Sequence, residues 1–305
     1  MTGQPGGEGG RIAAFLVMAL IWGLTWLPTK VAAEVMSPIF LAVVRFALAA
    51  LLYLLIILPR GISLRLEQPG RVVAASLLIT TGCYSLLFWG VAHSPTGLSA
   101  VVNLALLPIF VILVGALYGQ ERVTGRRLGA IALGLAGLLL LFSGRTGAGG
   151  DGAALGLAAV AAGTLSYAWG AVISRPLMRS MHPLALAFWE TGLGALGLLP
   201  VSLLIEGYDP GRLAALGDGR TLLCLAVLVL GGSLGAFTIY LWLLREWGAF
   251  RAGLYAFVSP VVAVAVGVAA AGEVFGRPEA LGMGVMLAAT ALALTERRKA
   301  LSRSS

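Results

Sequence analysis

Lysine, histidine and cysteine are nearly missing from this 305-residue chain, with two of each, and Asp and Glu together number 13. Each scarcity removes a class of chemistry. Lys30 and Lys299 are followed by Val and Ala, so no Gly-Lys-Ser/Thr phosphate loop exists and an ATP-driven engine is excluded. His93 and His182 have no Cys or carboxylate at ligand spacing beside them, so no metal site is expected. Cys83 and Cys224 both fall inside long apolar runs and define no disulfide framework. Glu190 is the sole acidic residue at the depth of such a run, whereas an intramembrane aspartyl protease needs two. No cofactor is implied.

What the chain has instead is apolar surface. Hydrophobic residues make up 59% and charged residues 11%, and the mean hydropathy is +0.96. Such a chain uses lipid as its solvent. The charges cluster and leave ten apolar stretches of the length a helix needs to cross a hydrocarbon core of about 30 Å. We place them near 12–30, 37–58, 71–92, 96–118, 126–144, 153–174, 183–205, 220–244, 250–271 and 277–295. The runs are continuous rather than alternating, which predicts an all-α bundle and not a β-barrel. The first run continues past Trp22 and Trp26 with no small-residue cleavage site after it, predicting a retained helix.

The net charge of +8 reflects sidedness rather than nucleic-acid binding. If the N-terminus is cytoplasmic, fifteen basic residues fall in inner segments and five in outer ones, with Arg45 inside a span. The positive-inside rule then puts both termini in the cytoplasm.

Sliding the chain against itself by 152 positions aligns the fourth and fifth spans with the ninth and tenth without a gap: Pro108 meets Pro260, Gly115 meets Gly267 and Glu121 meets Glu273. The pair Trp22-Gly23 recurs at Trp169-Gly170 at an offset of 147, and Arg45 corresponds to Glu190 at 145. Two units of five helices follow, residues 1–148 and 149–305, joined through the glycine-rich 143–152. Because five is odd, the second unit enters the membrane from the opposite face, an inverted-topology repeat of the kind secondary transporters use for alternating access.

These features carry a resemblance to a known family. The two-times-five layout, "WG" in the first span, "RFALAA" from Arg45 and "LLPIFVILVGALYGQERVTGRRLGAIALGLAG" across the fourth and fifth spans resemble the drug/metabolite transporter superfamily, EamA type. The resemblance covers nearly the whole chain and implies an inner-membrane efflux carrier for amino acids, related metabolites or organic cations. Its motifs specify the superfamily and not the cargo. Export of a small metabolite, an amino acid or similar compound, is the expected activity. A broad drug or organic-cation exporter and an uptake permease are alternatives on the same fold, and a scaffold or channel is the non-carrier alternative.

Candidate site residues follow from chemistry at membrane depth. Trp22, Thr25, Trp26 and Thr29 fall at i, i+3, i+4 and i+7 of the first span and are expected on one helix face. With Tyr84, Asn103, Tyr167, Trp169 and Tyr255 they are expected to wall a cavity for an organic solute, with rings able to hold a cationic amine. Arg45 and Glu190 are intramembrane charges, expensive unless they face a partner or a cavity, and are candidates for substrate or proton coordination. Pro108 and Pro260, each removing one backbone hydrogen bond in mid-helix, are candidate hinges. Gly23 is expected to admit a neighbouring helix, Pro28 to bend the first span and Lys30 to mark the outer interface. "GGSLG" at 231–235 matches the serine-hydrolase pattern G-x-S-x-G, but it lies in an apolar helix where Gly231 and Gly235 read as a packing seam.

Overall fold

The computed structural model describes residues 7–33, 35–94, 96–143, 153–209, 211–271 and 276–295. The segment 144–152 and Glu273 lie outside the described residues, as do the side chains of Trp26 and Lys30. Among the described residues there is no strand.

Each apolar run has become a helix. The first is α1 (Glu8–Ala33), followed by α2 (Pro38–Ile57), α3 (Pro69–Ala92), α4 (Thr96–Leu117) and α5 (Gly125–Phe142). Then come α6 (Ala153–Leu177), α7 (Pro183–Ile205) and α8 (Gly219–Trp247). The ninth, α9, runs as Ala249–Gly253 and Tyr255–Ala271, and the last is α10 (Arg277–Leu294). Eight of these are long and apolar enough to cross a membrane among the described residues. The remaining two, α5 and α10, are 18 residues each and pack closely against each other. Their contact depends on glycine: a methyl group on Gly137 would lie 2.8 Å from the Gly282 carbonyl oxygen, and one on Gly282 would lie 2.7 Å from that of Gly137. Without hydrophobic drive between helices in lipid, such backbone proximity supplies the packing.

Helix contacts repeat with a shift of five. Contacts of α1 with α8 and α9 reappear as those of α6 with α3 and α4; α2 with α8 reappears as α7 with α3; α2–α7, α4–α9 and α5–α10 map onto themselves. The main buried cluster holds Phe15, Tyr53, Tyr240, Phe250 and Phe257, and two smaller ones gather around Leu41 and Leu228 and around Phe46 and Leu198.

Four local departures from straight α-helix shape the interior. α1 is broken at Thr25, three residues before Pro28, whose missing N–H cannot reach the Leu24 carbonyl. α9 is broken at Leu254. α3 widens into a π-helix over Leu77–Gly82 and α8 over Val227–Ala236, the equivalent helices of the two units. π-Helical turns shift the hydrogen-bond ladder and concentrate at functional sites.

One end of the bundle is tied by ion pairs between distant segments. Arg11 meets Glu246 at 3.2 Å and Arg251 meets Glu8 at 3.1 Å. Glu121, 8% exposed, pairs with Arg127 at 2.7 Å and Arg175 at 3.8 Å and accepts the Phe250 N–H. All of these residues belong to segments that the charge bias groups on one face. At the other end Glu206 accepts the Ile39 and Phe40 N–H groups at the start of α2.

Candidate functional site

The π-helical segment of α8 is the floor on which the site is built. Its carbonyls are met by side chains from other helices: Trp22 Nε1 donates to the Gly232 oxygen at 3.1 Å, and the Tyr53 hydroxyl donates to the Ser233 oxygen at 2.7 Å. In lipid, a backbone oxygen released from its ladder has to find such a donor. The matching segment of α3 is treated likewise, with Ser166 Oγ donating to the Leu78 oxygen at 2.8 Å.

Over this floor stands a group of rings. Trp22 lies 4.3 Å from Tyr255 and 5.4 Å from Tyr240, centroid to centroid, and Tyr240 is 6.0 Å from Tyr167 and 6.1 Å from Phe237. α1, α6, α8 and α9 therefore each contribute a ring, the first from one sequence half and the others from the second. The Tyr240 hydroxyl is buried among these rings, close to that of Tyr167.

Arg45 reaches the same π-helical segment. Its Nε donates to Ser233 Oγ at 2.9 Å and its guanidinium carbon lies 5.3 Å from the Phe46 ring centre. Gly232 makes the room, since a methyl there would stand 2.7 Å from Arg45 Nη2 and 3.1 Å from Thr25 Cγ2. No carboxylate lies within ion-pair distance of Arg45 among the described residues.

Glu190, fully buried, points elsewhere. Ser174 Oγ donates to its Oε1, while Oε2 has no partner among the described residues. Thr80, from the π-helical turn of α3, donates to the Glu190 carbonyl at 3.1 Å. The two intramembrane charges thus occupy corresponding positions without pairing.

Of the residues expected to converge, Trp22, Tyr167 and Tyr255 do. Tyr84 does not join their ring contacts: it packs edge-on against Phe46 at 4.8 Å and Phe88 at 5.5 Å. Asn103 accepts from Thr164 Oγ1 at 2.8 Å and ties α4 to α6. Trp169 is 39% exposed and donates to the Tyr118 hydroxyl at 3.0 Å, so the repeated Trp-Gly pair puts one ring inside and its counterpart outside. The break at Thr25 interrupts the ideal spacing that put Trp22, Thr25 and Thr29 on a single stripe. Thr25 Oγ1 bonds back to the Trp22 carbonyl and Thr29 Oγ1 to the Thr25 carbonyl, both at 2.7 Å. Pro108 and Pro260 are buried inside α4 and α9. Gly23 admits α9 closely, with a methyl there falling 2.4 Å from Val262 Cβ.

Sequence reasoning missed Tyr53, Tyr240 and Ser233 as site residues. The adjacent Gly231-Gly232 inside an apolar span was the available signal, because paired glycines mark places where a helix departs from regularity. The same stretch carries Gly-x-Ser-x-Gly, but within a helix and not on a strand-to-helix turn, and the Ser233 hydroxyl accepts Arg45 Nε. A gap between α2 and α7, lined by Val43, Ala47, Phe188, Gly192, Leu196 and neighbours, has almost wholly apolar walls and offers a solute no polar handle.

An all-helical bundle of membrane-length spans, with rings, a cation and widened helices gathered inside it, is that of a multi-pass membrane protein. The chain belongs to the EamA-like transporter family, whose model matches residues 10–143 and again 154–295. It is 30% identical over 281 residues to the "uncharacterized inner membrane transporter YedA" of Escherichia coli (strain K12), covering 92% of this chain and 89% of that one. It is 27% identical over 278 residues to a "probable amino-acid metabolite efflux pump" of Salmonella typhimurium (strain LT2), covering 90% and 91%. A crystal structure of a protein 22% identical in sequence shares the fold, with a TM-score of 0.77 over 93% of this chain and 96% of the other.

Proposed function

We propose that this protein is a secondary-active carrier that exports a small organic metabolite, an amino acid or a similar compound, by alternating access. The observation that carries the reading is the position of Trp22: a ring from the first sequence half is seated against Tyr240 and Tyr255 of the second and bonded to the widened α8. A solute held there touches both halves, so a relative movement of the halves changes its surroundings and its access to either side. The division into units 1–148 and 149–305 is supported by the two family-model matches and by the helix contacts that repeat with a shift of five. Export of an amino-acid-like compound is supported by the name of the Salmonella relative. In this reading both termini are cytoplasmic, Pro108 and Pro260 act as hinges, and Glu190 is the proton-carrying group.

The test is counterflow in proteoliposomes loaded with unlabelled amino acids. A carrier shows uptake of labelled substrate accelerated by the loaded compound; a linear, non-saturable flux without trans-stimulation shows a channel and ends the carrier reading.

A further inference from the structure

We infer that the transported solute carries a carboxylate and that Arg45 is the residue that binds it. This rests on the reading of the Trp22 group as the solute site and narrows the class of solute.

The argument begins with an uncompensated charge. Arg45 lies near the middle of α2, where a guanidinium without a counter-charge is costly. Its hydrogen-bond partner among the described residues is neutral, Ser233 Oγ, and that bond engages Nε alone. Among the described residues the Nη1 and Nη2 atoms make no hydrogen bond, and they are not sealed in. Glu190, the other charge at this depth, is bonded to Ser174 and does not neutralise it. The surroundings also hold Arg45 in place: Ser233 is 1% exposed, Gly232 has no side chain to displace Nη2, and Phe46 lies under the guanidinium. A planar fork with one side anchored and its terminal nitrogens open is the donor geometry for one carboxylate, bound through two parallel N–H···O bonds. A single cation matches a single negative charge, so a phosphate dianion is a poor fit. The rings of Trp22, Tyr240 and Tyr255, next to Arg45 through Gly232 and Ser233, suit the apolar remainder of the solute. The fixed charge at Arg45 is positive.

The experiment measures binding of matched probes to the detergent-purified full chain by thermal shift and calorimetry. One set is L-phenylalanine, L-phenylalaninamide, 3-phenylpropionate and phenethylamine; the second is L-leucine, L-leucinamide, 4-methylpentanoate and isoamylamine. Wild type is expected to bind the members that keep the carboxylate about 10- to 100-fold more tightly than those that lack it, the range for hydrogen bonds to a charged group. The two carboxylate members of each set separate a zwitterion site from a simple organic-acid site. Arg45→Gln should bring the acid-to-amide ratio close to one, Arg45→Lys should leave an intermediate ratio, and Trp22→Ala should weaken all members while preserving the ratio. Should Arg45→Gln fail to fold, Arg45→Lys and Ser233→Ala, which frees the Nε anchor, provide the comparison. Amides and amines binding as tightly as the acids, with Trp22→Ala still weakening them, would overturn the carboxylate inference and leave the site in place. Carboxylate-dependent binding indifferent to both Trp22→Ala and Arg45→Gln overturns the site itself. Failure of both sets to show carboxylate-dependent binding also refutes the inference.

Discussion

Replacing Trp22 separates three contributions that the structure superimposes on one side chain. Trp22→Ala removes the ring pairs with Tyr255 at 4.3 Å and Tyr240 at 5.4 Å and the hydrogen bond to the Gly232 carbonyl. Aromatic pairs contribute about 0.5–1.5 kcal/mol each beyond area burial, and a neutral hydrogen bond about the same. The loss is then about 2–4 kcal/mol, near the lower part of the range for aromatic-to-alanine changes in a core, because Trp22 is only partly buried. Trp22→Phe keeps a ring against Tyr255 and deletes only the indole donor to the Gly232 oxygen of a π-helical turn, at a cost of about 0.5–1.5 kcal/mol. Stability is read from unfolding titrations in mixed micelles, and affinity by calorimetry on the folded fraction with the probes that bind wild type. Both variants should insert and elute as single species; Ala should weaken binding about tenfold, the equivalent of about 1.4 kcal/mol, and Phe less. Equal destabilisation by Phe and Ala would show that the bond to the π-helix, and not the ring group, is what Trp22 supplies. Unchanged affinity in a well-folded Trp22→Ala protein would refute Trp22 as a wall of the site.

Three further outcomes are expected. A cysteine in the 207–219 loop should react with an impermeant thiol reagent applied to intact cells and one near Ser302 should not, as the basic-residue bias requires; reversed labelling removes the assignment of faces. Pro108→Ala and Pro260→Ala should slow exchange more than they weaken equilibrium binding, since both prolines are buried within their helices; parental turnover in both removes the hinge reading. The Asp218 carboxyl caps α8 and is held below the usual carboxylate range, first by the Thr221 N–H and then by the Thr221 hydroxyl. Its stabilisation is therefore present above the unfolded value of about 3.9 and is lost as pH falls through the lower folded value. Asp218→Ala should lower thermal stability at pH 7, with the gap to wild type narrowing below about pH 4; a gap independent of pH would refute the charged cap.

Hydropathy was enough to find the long helices seen among the described residues, because a backbone in lipid has to close its hydrogen bonds within each span and the apolar runs have about the length that requires. The helices begin and end within a few residues of the runs, as α7 (Pro183–Ile205) does at 183–205. Grouping of the loops by charge was legible for the same reason: the segments rich in arginine meet one another at one end through Arg11–Glu246 and Glu121–Arg175. The interior was not legible in this way. Linear spacing presumes a regular helix, and the site is made where regularity fails, at the Thr25 break and in the π-helical turns of α3 and α8. Trp22 faces inward onto Gly232 of the π-helical turn while its sequence counterpart Trp169 faces outward to Tyr118. Tyr53, Ser233 and Tyr240, of which only Ser233 lies in a recognisable pattern, come next to residues some 200 positions away. Which side chain faces lipid and which faces the interior depends on the rotation and register of each helix against its neighbours, and that is decided only by packing in three dimensions.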